Sequence, residues 1–369
     1  MRSLLCQFYG LLILFLPFQI WGQSFQLDSL TSLSAEINES SGLIELEGRL
    51  LTHNDSGGEA ALYEVDSLTG MTVRTVILKN GGNQDWEDIA RDSTYLYIGD
   101  FGNNNGSRQN LRIYRLPIDA YLSTTSDTVE VDTISFSYAD QIDFTSSQFS
   151  TNYDAEALIA YGDSLYIFTK NWGNFASNIY ALPKIPGQYS LSKMDSLAPQ
   201  GLITGADYDP LKQEIVLTGY TITHAFVMRI SQWAGNVFSS GNIEQFPLQL
   251  SGSFQLESIA QLADGTYRLS TESNGQNAGV LYRLSFEESM SQATEILSGL
   301  HIYPNPATDY IHIESLLPFQ LCLLSLSGQE LLRSKESWID ISQIPDGGYF
   351  LRVSFPGHPQ QFIHKLLIE

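Results

Sequence analysis

The feature that most constrains the fold of this chain is a repeat in residues 24–297, built from short strands and turns. Each copy opens with a polar or acidic residue and small apolar residues, followed by a turn, an aliphatic and aromatic strand, and a polar loop. The copies begin at Ser41, Glu87, Glu156, Thr204 and Glu257, so their spacings are 46, 69, 48 and 53 residues. Repeats of this length are typical of β-propeller blades, whose four-stranded sheets bury their faces against one another.

The composition of the repeat favours strands over helices. Its apolar residues alternate or run in groups of four or five that are rich in Tyr, Ile and Val. Five copies can be counted and a sixth would have to lie in degenerate sequence, so the sequence predicts five or six blades. Residues 25–37 are predicted to supply the outermost strand of the last blade, which would remove a free sheet edge. A polar insertion at residues 123–149 is predicted to carry one outer strand from Thr128 to Phe136.

The net charge of the chain limits the classes of partner that it is expected to bind. There are 41 acidic and 19 basic residues among 369, which gives a net charge of −22. A surface of that sign repels phosphate backbones and anionic lipid headgroups, so we expect neither nucleic acid nor membrane headgroups as partners. We expect a monomer that attracts cations. Cys322 is the only cysteine outside the N-terminal leader, so an intramolecular disulfide is excluded.

The first two copies contain five distinctive motifs: Glu39-Ser-Ser-Gly-Leu, His53-Asn-Asp-Ser-Gly, Asp85-Trp-Glu-Asp-Ile-Ala, Leu96-Tyr-Ile-Gly-Asp-Phe-Gly-Asn-Asn and Arg112-Ile-Tyr-Arg-Leu-Pro. With these motifs the chain resembles a group of exported bacterial propellers described as esterase-like or phytase-like. The resemblance covers residues 36–120, with later copies similar only through the repeat. Where the group reads Gly-Asp-Ile-Gly-Asp-Asn, this chain has Asn103 in place of one carboxylate. The resemblance implies a fold and a candidate face more than a reaction.

In a propeller, the loops at one end of the inner strands converge on the central channel. The opening position of the repeat supplies three glutamates, which are the candidate catalytic residues: Glu87, Glu156 and Glu257. The candidate ligand-binding residues lie in the surrounding loops: Asn54, Asp55, Asp85, Asp100, Lys170, Trp172 and Glu272. Crowded carboxylates repel unless they share a cation or a proton, and their oxygens are the ligands that Ca²⁺ prefers. The candidate calcium ligands are Asp55, Glu87, Asp100 and Asn103.

These residues also have a structural interpretation, since polar residues at blade starts hydrogen-bond neighbouring blades and Asp-Asn-Gly loops form turns. Three functions therefore stay open. The first is a propeller that binds a glycan, protein or small-molecule ligand with calcium as support. The second is a cation-dependent phosphoesterase, esterase or lactonase that uses the three glutamates. The third is a structural or adhesive surface protein. A phytase-like hydrolase would need many basic residues at the channel, and only Lys170, Arg108 and Arg91 are available.

The last part of the chain has a different pattern. It begins His301-Ile-Tyr-Pro-Asn-Pro-Ala-Thr-Asp-Tyr-Ile-His-Ile-Glu, continues through Leu326-Ser-Gly-Gln-Glu-Leu-Leu and Ile344-Pro-Asp-Gly-Gly-Tyr-Phe-Leu-Arg-Val, and ends Lys365-Leu-Leu-Ile-Glu. This order resembles the C-terminal sorting domain of the type IX secretion system of Bacteroidetes-type bacteria, over residues 298–369. Alternating strands that start near Tyr310, Leu321, Trp338 and Tyr349 predict a small antiparallel Ig-like sandwich. The resemblance implies that the type IX machinery is a partner.

The N-terminus predicts a cleavable signal peptide at residues 1–22. Arg2 precedes an apolar core at residues 11–18 that is too short to span a bilayer, and Gly22 precedes the expected cut. The sequence therefore divides into a leader at 1–22, an all-β propeller at 23–297 and a sorting domain at 298–369. The protein is expected to cross the outer membrane and to be secreted or anchored at the cell surface, with no transmembrane span.

Overall fold

The computed structural model describes residues 25–210, 212–250, 255–273, 275–286, 299–326, 329–356 and 361–369. The predicted signal peptide lies outside these residues. Two short helical segments occur in the described part, an α-helix α1 (Ile118–Ser123) and a 3₁₀ turn (Phe238–Ser240). No helix in the described part is long and apolar enough to cross a membrane.

Five antiparallel blades form the larger part of the fold, as the repeat predicts. Blade 1 contains β2 (Ser40–Leu46), β3 (Arg49–Asn54), β4 (Ala61–Val65) and β5 (Thr72–Leu78). Blade 2 contains β6 (Trp86–Arg91), β7 (Tyr95–Asp100), β8 (Leu111–Pro117) and β10 (Asp132–Tyr138). Blade 3 contains β11 (Ala155–Tyr161), β12 (Ser164–Thr169), β13 (Ser177–Pro183) and β15 (Lys193–Leu197). Blade 4 contains β16 (Leu202–Asp209), β17 (Glu214–Tyr220), β18 (Ala225–Ser231) and β19 (Asn242–Leu248).

Blade 5 joins the two ends of the propeller. It contains β20 (Leu256–Gln261), β21 (Tyr267–Thr271), β22 (Val280–Phe286) and, as its outermost strand, β1 (Phe25–Ser32). The pairing of β1 with β22 runs antiparallel from Phe25 opposite Phe286 to Ser32 opposite Val280. The predicted ring closure is therefore confirmed, and the edge of the last blade is covered by the start of the chain.

The inner strands β2, β6, β11, β16 and β20 stand side by side around the channel, each next to the inner strands of two other blades. The second strand of each blade is buried on both faces, as in β17, where every residue is buried. In outer strands such as β19, buried and exposed residues alternate in the C-terminal half of the strand. This gradient follows the sequence, since the continuous aliphatic and aromatic runs form the second strands of the blades, such as β12 and β17, and alternating runs form the outer strands.

The insertion between β8 and β11 differs from its prediction. The single outer strand expected from Thr128 to Phe136 is two strands: β9 (Thr128–Val129) pairs in parallel with β5, and β10 pairs with β8. Between them, the backbone of Val131 exchanges two hydrogen bonds of 2.8 Å with the side chain of Asn80. That side chain replaces a strand partner, so the chain passes from blade 1 to blade 2 at this point. A second parallel addition, β14 (Gly187–Leu191), pairs with β10.

The described residues between 301 and 368 form the predicted sandwich of two small antiparallel sheets. The first sheet contains β23 (His301–Tyr303), β24 (Tyr310–Glu314) and β27 (Trp338–Asp340). The second contains β25 (Gln320–Leu324), β26 (Glu330–Ser334), β28 (Gly347–Ser354) and β29 (Gln361–Ile368). Alternate residues of both sheets, including Ile311, Leu323 and Leu351, form one apolar core. Cys322 is a free, buried cysteine within β25.

Candidate functional site

The same local geometry occurs in all five blades at one end of the channel. The start of each inner strand pairs with the end of the next strand, as Trp86 does with Asp100 and Ala155 with Thr169. Each inner strand also contains a β-bulge at its start, where one residue has no partner. These unpaired residues are Gly42, Glu87, Glu156, Thr204 and Glu257. A bulge turns a side chain away from its ladder position, so this end of the channel, the channel mouth, collects the bulged side chains.

The position of the bulge in β2 shifts the alignment of the first copy with the others by one residue. Gly42, not Ser41, occupies the position of Glu87, and its φ of 63° lies in the left-handed region. A Cβ atom on Gly42 would lie 2.6 Å from Nε2 of His53 and 2.9 Å from the backbone nitrogen of Ile89. Blade 1 therefore adds no side chain at this position, because its backbone must approach blade 2 too closely.

Two opening residues of the repeat have structural roles. The hydroxyl of Ser41 donates a hydrogen bond of 2.6 Å to the backbone carbonyl of Glu87, in the next blade. Similarly, the hydroxyl of Thr204 donates to the carbonyl of Leu256. Both bonds join neighbouring inner strands, as the structural interpretation of these positions predicts.

Five carboxylic acids of blades 1 to 3 meet at the channel mouth; we call Asp55, Asp85, Glu87, Asp154 and Glu156 the carboxylate cluster. One oxygen from each of Asp55, Asp85 and Glu87 lies within 4.8 Å of the others. Oxygens of Glu87, Asp154 and Glu156 form a second group of the same size. Glu87 belongs to both groups, so the two are continuous.

Asp154 is the member that sequence reasoning missed. It stands two residues before Glu156, as Asp85 stands two residues before Glu87, so blades 2 and 3 share an Asp-x-Glu spacing. The carboxylate of Asp154 accepts hydrogen bonds from the backbone nitrogen of Asn103 at 2.6 Å and from Nε1 of Trp172 at 2.8 Å. The repeated spacing was the available signal.

Burial shifts the acids of the cluster towards their protonated forms. It raises the pKa of Asp55 to about 9, with repulsion from Asp85 and Glu272 adding to the effect. Burial raises the pKa of Asp85 to about 6, where the nearby Arg108 limits the rise. Burial also raises the pKa of Glu87 well above its ordinary range, and the charge of Asp55 adds to the rise. Burial raises the pKa of Glu156 well above its ordinary range too, although Lys170 opposes the rise. The cluster thus holds more carboxyl groups than the site can keep ionised.

Two oxygens of the cluster are buried without a hydrogen-bond partner among the described residues, Oε1 of Glu87 and Oδ1 of Asp55. Glu87 is only 4% exposed. Gly102 keeps the space beside Glu87 open, since a Cβ atom there would overlap Oε1 of Glu87 and lie 2.5 Å from Oδ2 of Asp85. Buried unpaired oxygens cost free energy unless a further group satisfies them.

The buried cation Lys170 faces the cluster. Nζ of Lys170 lies 3.2 Å from Oε2 of Glu156 and stands over the rings of Trp172, at 5.2 Å, and Tyr220, at 5.4 Å. Burial opposes its charge, but the carboxylates of Glu156 and Glu257 outweigh that effect and hold the pKa of Lys170 well above its usual range. Lys170 is therefore charged and balances only part of the surrounding acid.

Two further predicted residues lie near Lys170. Burial raises the pKa of Glu257 to about 8, although Lys170 opposes the rise. Burial also raises the pKa of Glu272, and Lys170 again opposes it. Neither glutamate belongs to the two groups of close carboxylates, so the three predicted glutamates divide between the cluster and its border.

Three of the predicted polar residues are engaged in structural contacts instead. Asp100 is fully buried, and its oxygens lie 2.5 Å from Nη2 of Arg108 and 2.7 Å from Nε of Arg112. Oδ1 of Asn103 accepts from the backbone of Arg108, and Nδ2 donates to the carbonyl of Tyr153. The side chain of Asn54 joins the backbones of residues 36 and 39. The structure does not bring these side chains into the carboxylate cluster.

His53 does not belong to either group of close carboxylates. Its ring packs edge-on against Trp86 at 5.4 Å, and burial lowers the pKa of His53 to about 4. The imidazole is neutral at physiological pH and belongs to the core.

The comparisons with known proteins concern the two parts of the chain differently. Residues 301–369 match the family described as Secretion system C-terminal sorting domain. The predicted sorting domain is therefore confirmed, and the protein is exported across the outer membrane by the type IX system. No curated protein matches the chain.

The solved structures similar to this chain share its all-β character at low identity. A family 43 endo-arabinanase from Bacillus licheniformis has 13% identity and a TM-score of 0.43, and the match covers 71% of this chain and 98% of that one. An exo-β-1,3-galactanase from Phanerochaete chrysosporium has 9% identity and a TM-score of 0.45, covering 93% and 99%. A family 117 glycoside hydrolase from Zobellia galactanivorans has 12% identity and a TM-score of 0.41, covering 72% and 90%. Similarity at this level says nothing about the activity of this chain.

Proposed function

We propose that this exported propeller is a ligand-binding module whose channel mouth holds a divalent cation, Ca²⁺, in the carboxylate cluster. The supporting observation is the position of Glu87, which belongs to both groups of carboxylates and has a buried oxygen without a partner among the described residues. Ca²⁺ takes six to eight oxygen ligands in flexible geometry, which suits oxygens from several loops. The proposed ligands are Asp55, Asp85 and Glu87, with Asp154 and Glu156 beside them.

Charge supports the same proposal. The cluster has five acids, and the buried cation at its border, Lys170, neutralises part of their charge. Without a further cation the acids must take up protons, as their raised pKa values indicate. A divalent ion would replace those protons and satisfy the unpaired oxygens at the same time.

Calorimetric titration of the purified chain with CaCl₂, together with melting curves, tests the cation. We expect saturable binding and a rise in Tm, both lost in Glu87→Gln. The matched control is Glu130→Gln, which removes the same charge from a side chain that is 77% exposed. If the wild-type chain gives neither heat nor a Tm shift, or if Glu130→Gln has the same effect as Glu87→Gln, the cation proposal is wrong.

A hydrolase is the second candidate, and Glu257 favours it. Its pKa of about 8 keeps this buried carboxyl protonated at neutral pH, so it is able to donate a proton to a leaving group. Turnover of phosphoester, ester or lactone substrates that Glu257→Gln abolishes would favour the hydrolase. Ca²⁺ binding without turnover in the same screen would favour the binding module.

A further inference from the structure

A cleft of about 580 Å³ opens beside the carboxylate cluster. It is lined by the β7–β8 loop at residues 102–110, by Gln84 and Asp85 before β6, and by Gln148 and Phe149 of the insertion. Asp85 belongs to the cluster and also lines the cleft, and Gly102 lines the cleft beside Glu87, so the two sites are adjacent. Its volume lies within the range of about 300–1,000 Å³ that is typical of ligand clefts.

Side-chain amides dominate this cleft. Seven of its twelve lining residues are Asn or Gln. The side chains of Asn104, Asn105, Gln109 and Gln148 form no hydrogen bond with any residue that the structure describes, so both halves of each amide are available. An amide offers two donors and an acceptor at a fixed spacing, which matches pairs of neighbouring hydroxyl groups.

The cleft offers little net charge to a ligand. Its two charged residues are Asp85 and Arg108. The guanidinium of Arg108 is already committed: Nη2 pairs with Asp100, Nη1 donates to the carbonyl of Gly102 at 3.1 Å, and Nε donates to Oδ1 of Asn110 at 3.1 Å. An anionic ligand would therefore find no free arginine here, and it would face the acids of the neighbouring cluster.

An aromatic side chain stands at the rim. Phe149 is 52% exposed, its ring centroid lies 4.7 Å from that of Trp172, and its φ of 54° is in the left-handed region. A bulky residue in that conformation is strained, and such strain persists where the surroundings enforce it. Here the insertion is tied to the β7–β8 loop, since the backbone nitrogen of Phe149 donates to the carbonyl of Asn104 at 3.1 Å.

We infer that this cleft binds sugar residues of a neutral polysaccharide. The amides would hydrogen-bond paired hydroxyls, and the exposed apolar ring of Phe149 would pack against the apolar face of a sugar ring. The inference rests on the proposed function as a binding module, and it names the class of ligand for it.

The experiment is affinity electrophoresis and calorimetry of the purified chain with neutral polysaccharides (arabinan, galactan, mannan and xylan) and anionic ones (alginate and polygalacturonate). We expect binding to at least one neutral polymer and none to the anionic polymers. Phe149→Ala should weaken this binding about tenfold with little change in Tm. The double change Asn105→Ala with Gln109→Ala should weaken it as well.

A matched control is available in the next blade. Phe175 is 49% exposed with a φ of 55°, but it does not line the cleft. Phe175→Ala should leave polysaccharide binding unchanged. Binding to anionic polymers alone, no binding to any polymer, or equal losses in Phe149→Ala and Phe175→Ala would overturn the inference.

The outcomes also separate this inference from the cation proposal. Polysaccharide binding that persists in excess chelator, with no Tm response to Ca²⁺, would support the cleft and contradict the cation site. A Tm response to Ca²⁺ without binding to any polymer would contradict the cleft and support the cation site.

Discussion

The carboxylate of Asp88, in blade 2, accepts a hydrogen bond of 2.7 Å from the backbone nitrogen of Leu158, in blade 3. The same oxygen accepts a second bond of 3.1 Å from the backbone nitrogen of Ala206, in blade 4. Asp88 is fully buried, so this one side chain joins three blades across the channel below its mouth. It satisfies two backbone donors that a closed ring of strands would otherwise leave unpaired.

Asp88→Ala should therefore destabilise the propeller. Two buried backbone donors lose their partner, so we expect a loss of about 3 kcal/mol in the free energy of unfolding, measured by urea denaturation. Asp88→Asn should cost less, because its carbonyl oxygen is able to accept in place of the carboxylate. Asp163→Ala, in an exposed turn, is the control. Equal stability of the Asp88→Ala and Asp163→Ala variants would contradict the role given to Asp88.

Two glycines with positive φ separate backbone strain from close packing. Gly48 has a φ of 81° and no atom within 4 Å of an added Cβ, whereas the Cβ of an alanine at Gly42 would collide with His53 and Ile89. We expect Gly48→Ala to cost about 1–2 kcal/mol through its backbone alone. Gly42→Ala should cost about 2 kcal/mol more, since the inner strands of blades 1 and 2 must move apart. Similar denaturation midpoints for the two variants would contradict the close contact between these strands.

Much of the architecture follows from the sequence because each blade repeats the same apolar pattern. Five inner strands and the closing strand at Phe25–Ser32 follow directly from that pattern. The bulges do not, since a one-residue insertion in a ladder leaves no mark on composition. For this reason the sequence pattern aligns Ser41, and not Gly42, with Glu87.

The site could be predicted only in part, for a related reason. A list of acids does not say which of them find a basic partner in the fold. Asp100 and Asp55 look equivalent in sequence, since Asp100 is the last residue of the second strand of its blade and Asp55 directly follows the second strand of its own. Two arginines from the neighbouring loop and strand engage Asp100, and none pairs with Asp55 among the described residues. Likewise, Asp88 reads as part of an apolar strand, and only the arrangement of three blades gives it partners.

Gly102→Ala should block the proposed cation site without removing a charge. The added methyl group would occupy the space beside Oε1 of Glu87 and Oδ2 of Asp85. We expect the Ca²⁺-dependent rise in Tm to be lost, while the cation-free melting temperature changes little if the two carboxylates turn aside. Gly58→Ala, with open space around an added Cβ, is the control and should keep the full response. A normal Ca²⁺ response in Gly102→Ala would place the cation elsewhere.

The cation-free propeller should lose stability as the pH rises. Asp55, Asp85 and Glu257 have pKa values of about 9, 6 and 8 in the fold, above the ordinary values of 3.8 for Asp and 4.5 for Glu. At pH values between the ordinary and the raised pKa of each group, the folded chain binds more protons than the unfolded chain. The contribution of these groups to the free energy of unfolding is therefore complete below about pH 4 and is lost towards pH 9. Melting curves with chelator from pH 5 to 9 should show a falling Tm. His53, neutral in the fold, works in the opposite direction only below about pH 6.5.

Calcium binding should release protons near neutral pH. Because burial raises the pKa of Asp55 to about 9 and also raises the pKa values of Glu87 and Glu156, we expect a divalent ion that binds their ionised forms to displace at least one proton at pH 7. Titrations in buffers with different ionisation enthalpies would measure that number, since the observed heat varies in proportion to it. The number should fall as the pH approaches 9, where Asp55 ionises without help, and the apparent affinity should rise over the same interval. Binding heat that does not depend on the buffer at pH 7 would mean that the ion binds to groups outside the carboxylate cluster.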